Sequence, residues 1–326
     1  MLSPIRVLSS VLSLILFAEC IGICEDAATP PKKSRASRFT LNSPRFVSPN
    51  LQDRDDKEHD VSARNETTVV RNPQKIPALD EMILFQPNRK GDWAPEQLTF
   101  TDVDFESEDG TKLHAWYCPA ETPRAVVLYC HGNAGNIAWI ADFFEFLRTK
   151  HQLSVLAFDY RGYGKSKGTP TVDGVIADGR AARAKCAELA GVPSADVVIW
   201  GRSMGGAVAV QLASEERPRA LILECTFDSF KTVAKHHAPR WAFLVPDDRL
   251  ASIQRISLVT CPLFQAHGTA DRVVPFESGE ALFAVANEPK MFVKLPYADH
   301  NTPAPLGMYM QIDRFIDQKC LKGVRP

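Results

Sequence analysis

A serine with a glycine two residues before it and another two residues after it is the first feature of the sequence that could carry chemistry. The segment GRSMGG at 201–206 places Ser203 between an apolar run at 197–200 and an apolar segment at 207–213. This order predicts a nucleophile elbow, a sharp turn that presents a serine between a buried strand and a helix. Glycine is expected at both flanking positions, because a side chain there would collide with the strand or the helix.

A serine hydroxyl reacts poorly until a base takes its proton and a third group holds that base in one tautomer. In an elbow of this type the acid and then the histidine follow the serine along the chain. Among the histidines after Ser203, only His300 also follows the best-placed acid, Asp271. Each comes shortly after an apolar run, so both are expected at the edge of the sheet where the elbow lies. We therefore predict a triad of Ser203, His300 and Asp271.

Other acidic residues stay open as alternatives for the acid. Asp228 follows an earlier predicted strand, and Asp247 and Asp248 lie in an irregular segment that interrupts the pattern. His267 is expected to brace the loop that carries Asp271 rather than to take part in the chemistry.

The predicted reaction also needs two donors that stabilise a developing oxyanion. The backbone NH of Met204 directly follows the nucleophile at the start of the predicted helix, where such groups lack an intrahelical acceptor. The second donor is expected in the glycine-containing loop HGNAGN at 131–136, which follows the first parallel strand. We predict the backbone NH of Asn133 as that donor.

The elements that must position these residues follow an alternating pattern from about residue 76 onward. A predicted hairpin comes first, and continuous apolar strands then alternate with helices. The predicted strands lie at 97–105, 111–117, 125–130, 153–158, 197–200, 220–225, 263–266 and 291–295. The predicted helices lie at 138–147, 171–190, 207–213, 278–286 and 308–318. This alternation predicts an α/β fold with a mostly parallel, doubly wound sheet and helices on both faces.

One segment, at 226–259, does not fit the alternation. It is rich in aromatic residues and histidine and follows a strand that ends at the predicted active edge. Two interpretations stay open: a short lid or wall of an acyl pocket, and an additional packed helix.

The motifs together resemble the α/β-hydrolase fold, in its serine-aminopeptidase-like branch that includes the depalmitoylating α/β-hydrolase-domain proteins. The resemblance covers about residues 95–320, in a domain expected to span 76–326. It is carried by HGNAGN at 131–136, FDYRGYGKS at 158–166, GRSMGG at 201–206, HGTADRVVPF at 267–276 and ADHN at 298–301. The family pattern assigns the same triad, while Asp299 stands where relatives usually have glycine.

The resemblance implies a serine hydrolase that cleaves carboxylic esters or thioesters of a small-molecule or acylated substrate through an acyl-enzyme. Its motifs do not fix the substrate, because the branch spans esterases, thioesterases and peptidases. A serine aminopeptidase or amidase therefore stays open as an alternative. So does a catalytically silent binding protein that keeps the fold.

Composition and the remaining motifs argue against several other classes of protein. The formal net charge is −1, from 38 basic and 39 acidic residues, which gives no basis for nucleic-acid binding. The tripeptide GKS at 164–166 resembles the end of a phosphate-binding loop, but Asp159 stands where that loop requires glycine. The sequence has neither a dinucleotide fingerprint nor a zinc-protease motif, so we predict no cofactor and no metal.

The first 75 residues differ in composition from the rest. Arg6 and the apolar run at 7–18 predict a signal peptide or an N-terminal membrane segment over 1–24. The run is shorter than the about 20 residues of a membrane span, which favours a cleaved signal peptide. Residues 25–75 are polar and predict a flexible linker. We expect an exported protein, periplasmic or secreted, and membrane association through the N-terminal segment stays open.

Overall fold

The computed structural model describes residues 77–319, so the predicted signal segment and the linker lie outside the described residues. Within them, eight strands form one sheet in the order β1-β2-β4-β3-β5-β6-β7-β8. The strands are β1 Thr101–Glu106, β2 Lys112–Cys118, β3 Ala125–Cys130, β4 Leu153–Asp159, β5 Val197–Arg202, β6 Ala220–Glu224, β7 Leu263–Gly268 and β8 Lys290–Leu295. The pairs β1–β2 and β2–β4 are antiparallel, and all other neighbours are parallel.

Helices cover both faces of this sheet. They are α1 Leu79–Leu84, α2 Ala141–Lys150, α3 Val172–Ala190, α4 Met204–Glu215, α5 Phe230–His237, α6 Phe276–Val285 and α7 Leu306–Lys319. Side chains of α2 and α7 form one buried cluster with the sheet, and side chains of α3, α4 and α6 form the other. The predicted doubly wound α/β sheet is confirmed. No helix within residues 77–319 is long and apolar enough to cross a membrane.

The central strands read as continuous apolar runs because both of their faces are buried. Along β3, Val126 and Leu128 contribute to the cluster under α3 and α4, whereas Val127 and Tyr129 contribute to the cluster under α2 and α7. Alternate side chains of a strand point to opposite faces of the sheet, so a strand covered on both sides must be apolar throughout. The polar residues of the predicted site therefore lie at the strand ends and in the loops that follow them.

The turn after β4 is a tightly bonded structure. Arg161 donates to the buried carboxylate of Asp178 on α3 at 2.7 Å and to Asp109 in the β1–β2 turn at 2.8 Å. The hydroxyl of Ser166 donates to the backbone carbonyl of Asp159 at 2.7 Å. This turn places Tyr163 beside the loop at 131–136. The GKS tripeptide at 164–166 is part of the same turn after β4.

The segment at 226–259 folds into α5 and three short 3₁₀ helices, and several of its apolar side chains are buried. Phe227, Phe230 and Val233 join the cluster on the α3 and α4 side of the sheet. The cavity at the active edge takes no lining residue from this segment. The buried side chains show that the segment packs on the sheet; its role as a lid stays a prediction.

The packing of α4 on β5 leaves no space for a side chain at Gly201. A Cβ there would lie 2.6 Å from the Cα of Gly206 and 2.7 Å from the Cβ of Ala209. We predict that Gly201→Ala lowers the free energy of unfolding by about 1–3 kcal/mol, because the helix must move away from the strand. Denaturant unfolding of the purified domain measures this change.

Gly307, near the start of α7, is the matched control. A Cβ there meets nothing within 4 Å. Gly307→Ala is expected to be neutral or to stabilise by up to about 1 kcal/mol, because alanine restricts the unfolded chain. Equal stabilities of the two variants would contradict the close packing of strand and helix.

Candidate active site

Ser203 lies on a strained turn between β5 and α4. Its backbone has φ 53° and ψ −122°, a conformation that residues other than glycine rarely adopt. The backbone NH of Ser203 donates to the carbonyl of Glu224 at 2.9 Å, and the Thr226 hydroxyl donates to the Ser203 carbonyl at 2.8 Å. The end of β6 thus holds the serine in this conformation. Such strain persists only where surrounding contacts maintain it.

The loop after β3 comes close to the elbow. A Cβ at Gly205 would overlap the backbone carbonyls of Cys130 and His131, and a Cβ at Gly132 would lie 3.5 Å from that of Ser203. Glycine at 205 therefore permits the start of α4 to approach the end of β3. This approach brings the predicted oxyanion loop next to the serine.

The structure brings Ser203, His300 and Asp271 into one chain of hydrogen bonds. Nε2 of His300 lies 3.1 Å from Oγ of Ser203, and Nδ1 of His300 lies 2.8 Å from Oδ2 of Asp271. Because a carboxylate can only accept, we assign the imidazole proton to Nδ1, which leaves Nε2 to accept from the serine hydroxyl. All three side chains are buried. Their catalytic roles stay predictions.

Asp271 follows β7 and is surrounded by donors. Its Oδ1 accepts from the backbone NH groups of Val273 and Val274 at 2.9 and 2.8 Å. Nε2 of His267 lies 3.3 Å from Oδ2 and donates to the Val274 carbonyl at 3.0 Å. Burial alone would raise the pKa of Asp271, but these bonds, with that of His300, bring the pKa well below its ordinary value. The carboxylate is therefore ionised at neutral pH.

The imidazole of His300 is neutral at the same pH. Burial lowers its pKa, the neighbouring Asp271 raises it, and the positive charge of Arg202 lowers it further, with a net result below the ordinary value. A neutral imidazole next to an ionised carboxylate is the protonation state that a general base requires.

Two charged residues that sequence reasoning did not assign fix the loop that carries His300. Asp299 accepts from the backbone NH and Nε of Arg272 at 2.9 and 2.6 Å, and from the backbone NH of His300 at 2.8 Å. Arg202 donates to the His300 carbonyl at 2.7 Å and to Asn301 at 2.9 Å. Arg272 directly follows Asp271 and Asp299 directly precedes His300, so the opposite charges of Arg272 and Asp299 could have predicted their ion pair from the sequence. Asp299 thus has a structural role, because it joins the loop of His300 to that of Asp271.

The two predicted oxyanion donors belong to the start of α4 and to the loop after β3 that approaches the serine. Met204 is the first residue of α4, where a backbone NH has no acceptor within its own helix. The side chain of Asn133 is already engaged: it donates to the carbonyl of Leu84, and its oxygen accepts from the Gln86 NH at 3.0 Å and the Tyr163 hydroxyl at 2.7 Å. The backbone NH is thus the group of Asn133 that can serve the reaction, and this role stays a prediction.

The alternative acids lie elsewhere. Asp228 accepts from the hydroxyl of Ser278 on α6 at 2.8 Å. Asp247 pairs with Lys231 at 2.6 Å, and Asp248 borders a separate small cavity beside α3. The bond from Nδ1 of His300 goes to Asp271.

A cavity of about 290 Å³ opens beside the triad. His300, Gly132 and Asn133 line it, and Trp139, Phe143, Met308 and Tyr309 contribute apolar surface. Arg202 and Glu224 are among its polar lining residues. Its volume is near the lower limit of small-molecule sites, about 300 Å³.

One group of potential metal ligands occurs among residues 77–319, and it overlaps the triad. Ligand atoms of Cys225, Asp271 and His300 lie within 4.8 Å of one another. Burial raises the pKa of the Cys225 thiol to about 12, and Asp271 and His300 are bonded to each other. The three could meet one ion only if the thiol lost its proton and the imidazole released the carboxylate.

Comparisons with known proteins identify the family of this chain. The family model described as serine aminopeptidase, S33, matches residues 121–246. An uncharacterized protein of Mycobacterium tuberculosis is 38% identical over 229 residues, which cover 68% of this chain and 81% of that protein. Human α/β-hydrolase domain-containing protein 17B is 31% identical over 198 residues, covering 60% of this chain and 67% of that protein. The chain belongs to the α/β-hydrolase family.

Solved structures share the fold of this hydrolase. An esterase from Pyrococcus furiosus superimposes with a TM-score of 0.61 and 22% identity, over 73% of this chain and 98% of the esterase. The family membership and the fold together make the chain a hydrolase.

The environment of His300 leads to a prediction about its titration. We expect its pKa to lie below the reference value of about 6.5, because burial and Arg202 disfavour the imidazolium. The imidazole then accepts a proton only as the pH falls below that value. NMR titration of ¹³C-labelled histidine measures this midpoint, and loss of the signal in His300→Asn assigns it. A midpoint above about 6.5 would contradict the described environment.

Proposed function

We propose that this hydrolase cleaves carboxylic esters or thioesters through an acyl-enzyme formed on Ser203. The observation that carries the proposal is the unbroken chain from the Ser203 hydroxyl through His300 to the ionised Asp271, beside a mostly apolar cavity that His300 lines. This arrangement supplies a base that can take the hydroxyl proton during attack, and without such a base a serine hydroxyl is a weak nucleophile.

In the first half of the proposed reaction, Oγ of Ser203 attacks the substrate carbonyl carbon while Nε2 of His300 takes the hydroxyl proton. The electron pair of the carbonyl bond moves to its oxygen, which the backbone NH groups of Met204 and Asn133 stabilise. Removing one such donor typically costs about 100-fold to 1,000-fold in rate. The intermediate then expels the alcohol or thiol, which receives the proton from Nε2.

In the second half, water replaces the alcohol. His300 takes a proton from the water as it attacks the acyl carbon, and returns this proton to Oγ of Ser203 when the acid leaves. Asp271 remains ionised throughout, because its pKa is held low by the donors around it. It stabilises the imidazolium that forms twice in each turnover and keeps the Nδ1 proton directed toward itself.

A serine aminopeptidase or amidase is the second candidate. It is favoured by the description of the matching family model, whereas the name of the Pyrococcus furiosus structure favours an esterase. Both chemistries use the same triad and differ in the leaving group. The relative kcat/KM for an ester, a thioester and an amide of one short acyl group distinguishes them, and we expect the amide to be the slowest.

The role of Ser203 is tested with a serine control from the same helix region. Ser203→Ala is expected to abolish turnover of p-nitrophenyl butanoate, because no nucleophile remains next to His300. Ser214, near the end of α4, donates to the helix carbonyl of Gln211 and does not line the cavity beside the triad. Ser214→Ala should therefore keep the activity of the unchanged protein.

Labelling with a fluorophosphonate gives a second readout of the same proposal. The probe is expected to modify the unchanged protein and Ser214→Ala on the peptide that contains Ser203, and to leave Ser203→Ala unmodified. Undiminished turnover by a folded Ser203→Ala protein would exclude Ser203 as nucleophile. Absence of both turnover and labelling in the unchanged protein would favour the silent binding protein.

A further inference from the structure

The loop at 131–136, which carries one of the two predicted oxyanion donors, is bonded at both of its ends to the end of β4 and the turn that follows. The Tyr160 hydroxyl donates to the backbone carbonyl of His131, the first residue of the loop, at 3.2 Å. A carboxylate oxygen of Asp159 accepts from the backbone NH of Ile137, the residue after the loop, at 3.0 Å. These two bonds fix where the loop begins and ends.

The middle of the loop is fixed through the side chain of Asn133. Its Oδ1 accepts from the Tyr163 hydroxyl at 2.7 Å and from the backbone NH of Gln86 at 3.0 Å. The same NH of Gln86 lies 3.2 Å from the Tyr163 hydroxyl, so the three groups form a closed triangle. Nδ2 of Asn133 donates to the carbonyl of Leu84. The side chain is therefore held from two directions, by the turn after β4 and by the segment at 84–86.

Tyr163 is itself firmly packed. Its side chain is completely buried, and its ring makes edge contacts with the rings of His131 and Tyr160 at centroid distances of 5.4 and 5.9 Å. The turn that carries it is anchored by the ion pair of Arg161 with the buried carboxylate of Asp178. The hydroxyl therefore has a defined position from which to direct its hydrogen bond.

The side-chain bonds of Asn133 matter because its backbone NH must already be aimed when the oxyanion forms. The two residues that follow, Ala134 and Gly135, have φ values of 59° and 60°. This left-handed conformation is unfavourable for alanine, and such strain persists only where surrounding contacts maintain it. Bonds to the Asn133 side chain are contacts of this kind, at the residue that carries the donor.

We propose that Tyr163 is a positioning residue for the oxyanion donor and that, through its bond to Asn133, it sets the direction of the Asn133 backbone NH. The inference rests on the proposed hydrolysis and adds a residue to its machinery. Tyr163 does not line the cavity beside the triad, so it acts through Asn133 and not on the substrate. The loss is expected in kcat rather than in KM, because the oxyanion forms only after the substrate has bound.

Tyr163→Phe removes the hydroxyl and keeps the ring. We expect kcat for p-nitrophenyl butanoate to fall about five- to tenfold, as for the loss of one hydrogen bond, with KM changed by less than about twofold. Inhibition by 1,1,1-trifluorohexan-2-one, which forms a tetrahedral adduct with a serine nucleophile, should weaken by a factor similar to the loss in kcat/KM. Tyr117→Phe is the matched control, because the Tyr117 hydroxyl bonds to Ser154 near the beginning of β4 and does not line the cavity. It should keep both values.

A double-mutant cycle shows whether Tyr163 acts through Asn133. Asn133→Ala removes the side-chain bonds but keeps the backbone NH, and we expect kcat to fall about tenfold to 100-fold. In the Asn133→Ala background, Tyr163→Phe should then lower kcat by less than about twofold. A general structural role of Tyr163 would instead lower kcat by the same factor in both backgrounds.

Hydrogen exchange separates this inference from the proposed function, because it does not depend on turnover. In Tyr163→Phe the peptide that covers 131–136 should exchange about fivefold faster or more, whereas in Tyr117→Phe its exchange should be unchanged. Faster exchange in a protein that hydrolyses none of the esters would refute the proposed function and keep the role of Tyr163 in fixing the loop. An unchanged kcat in a folded Tyr163→Phe protein, or losses that multiply in the double variant, would overturn the positioning role and leave the proposed function intact.

Discussion

The site depends on one backbone constraint, the strained turn at Ser203. The serine can occupy this turn only because α4 packs against β5 and the end of β3 without intervening side chains, at Gly201 and Gly205. The bond from its NH to the Glu224 carbonyl ties the turn to β6. Packing of the sheet thus stabilises a conformation that the isolated residue would not adopt, and it presents the hydroxyl at the sheet edge.

The acid and the base reach that hydroxyl through sheet topology and local electrostatics. Asp271 and His300 follow β7 and β8, which are neighbours in the sheet, so their loops leave the same edge. The Arg272–Asp299 pair joins these loops, and Arg202 connects the elbow to the His300 carbonyl. Hydrogen bonds lower the pKa of Asp271 despite its burial, and burial lowers the pKa of His300 despite its bond to Asp271. The proposed chemistry requires both results, an ionised carboxylate and a neutral imidazole.

The sequence was sufficient to predict the sheet and the convergence of the three triad residues, because both follow from short local patterns and chain order. The glycine spacing around Ser203 is local, and the position of Asp271 after an apolar run follows from the rule that loops after parallel strands share an edge. Contacts between distant segments could not be predicted in this way. The bonds of Asn133 to Leu84 and Gln86 depend on where α1 lies, and Glu224 is hidden in an apolar run. The segment at 226–259 had two open interpretations, because its aromatic residues suit a lid and a packed helix equally well.

The central claim is that Ser203 carries the acyl group during turnover. Rapid quenching of the enzyme with p-nitrophenyl butanoate, followed by mass spectrometry of the digested protein, tests it most directly. The account predicts a butanoyl group on the peptide that contains Ser203, formed and lost at rates that match turnover. Steady hydrolysis with no acylated peptide, or with the acyl group on another residue, would contradict it.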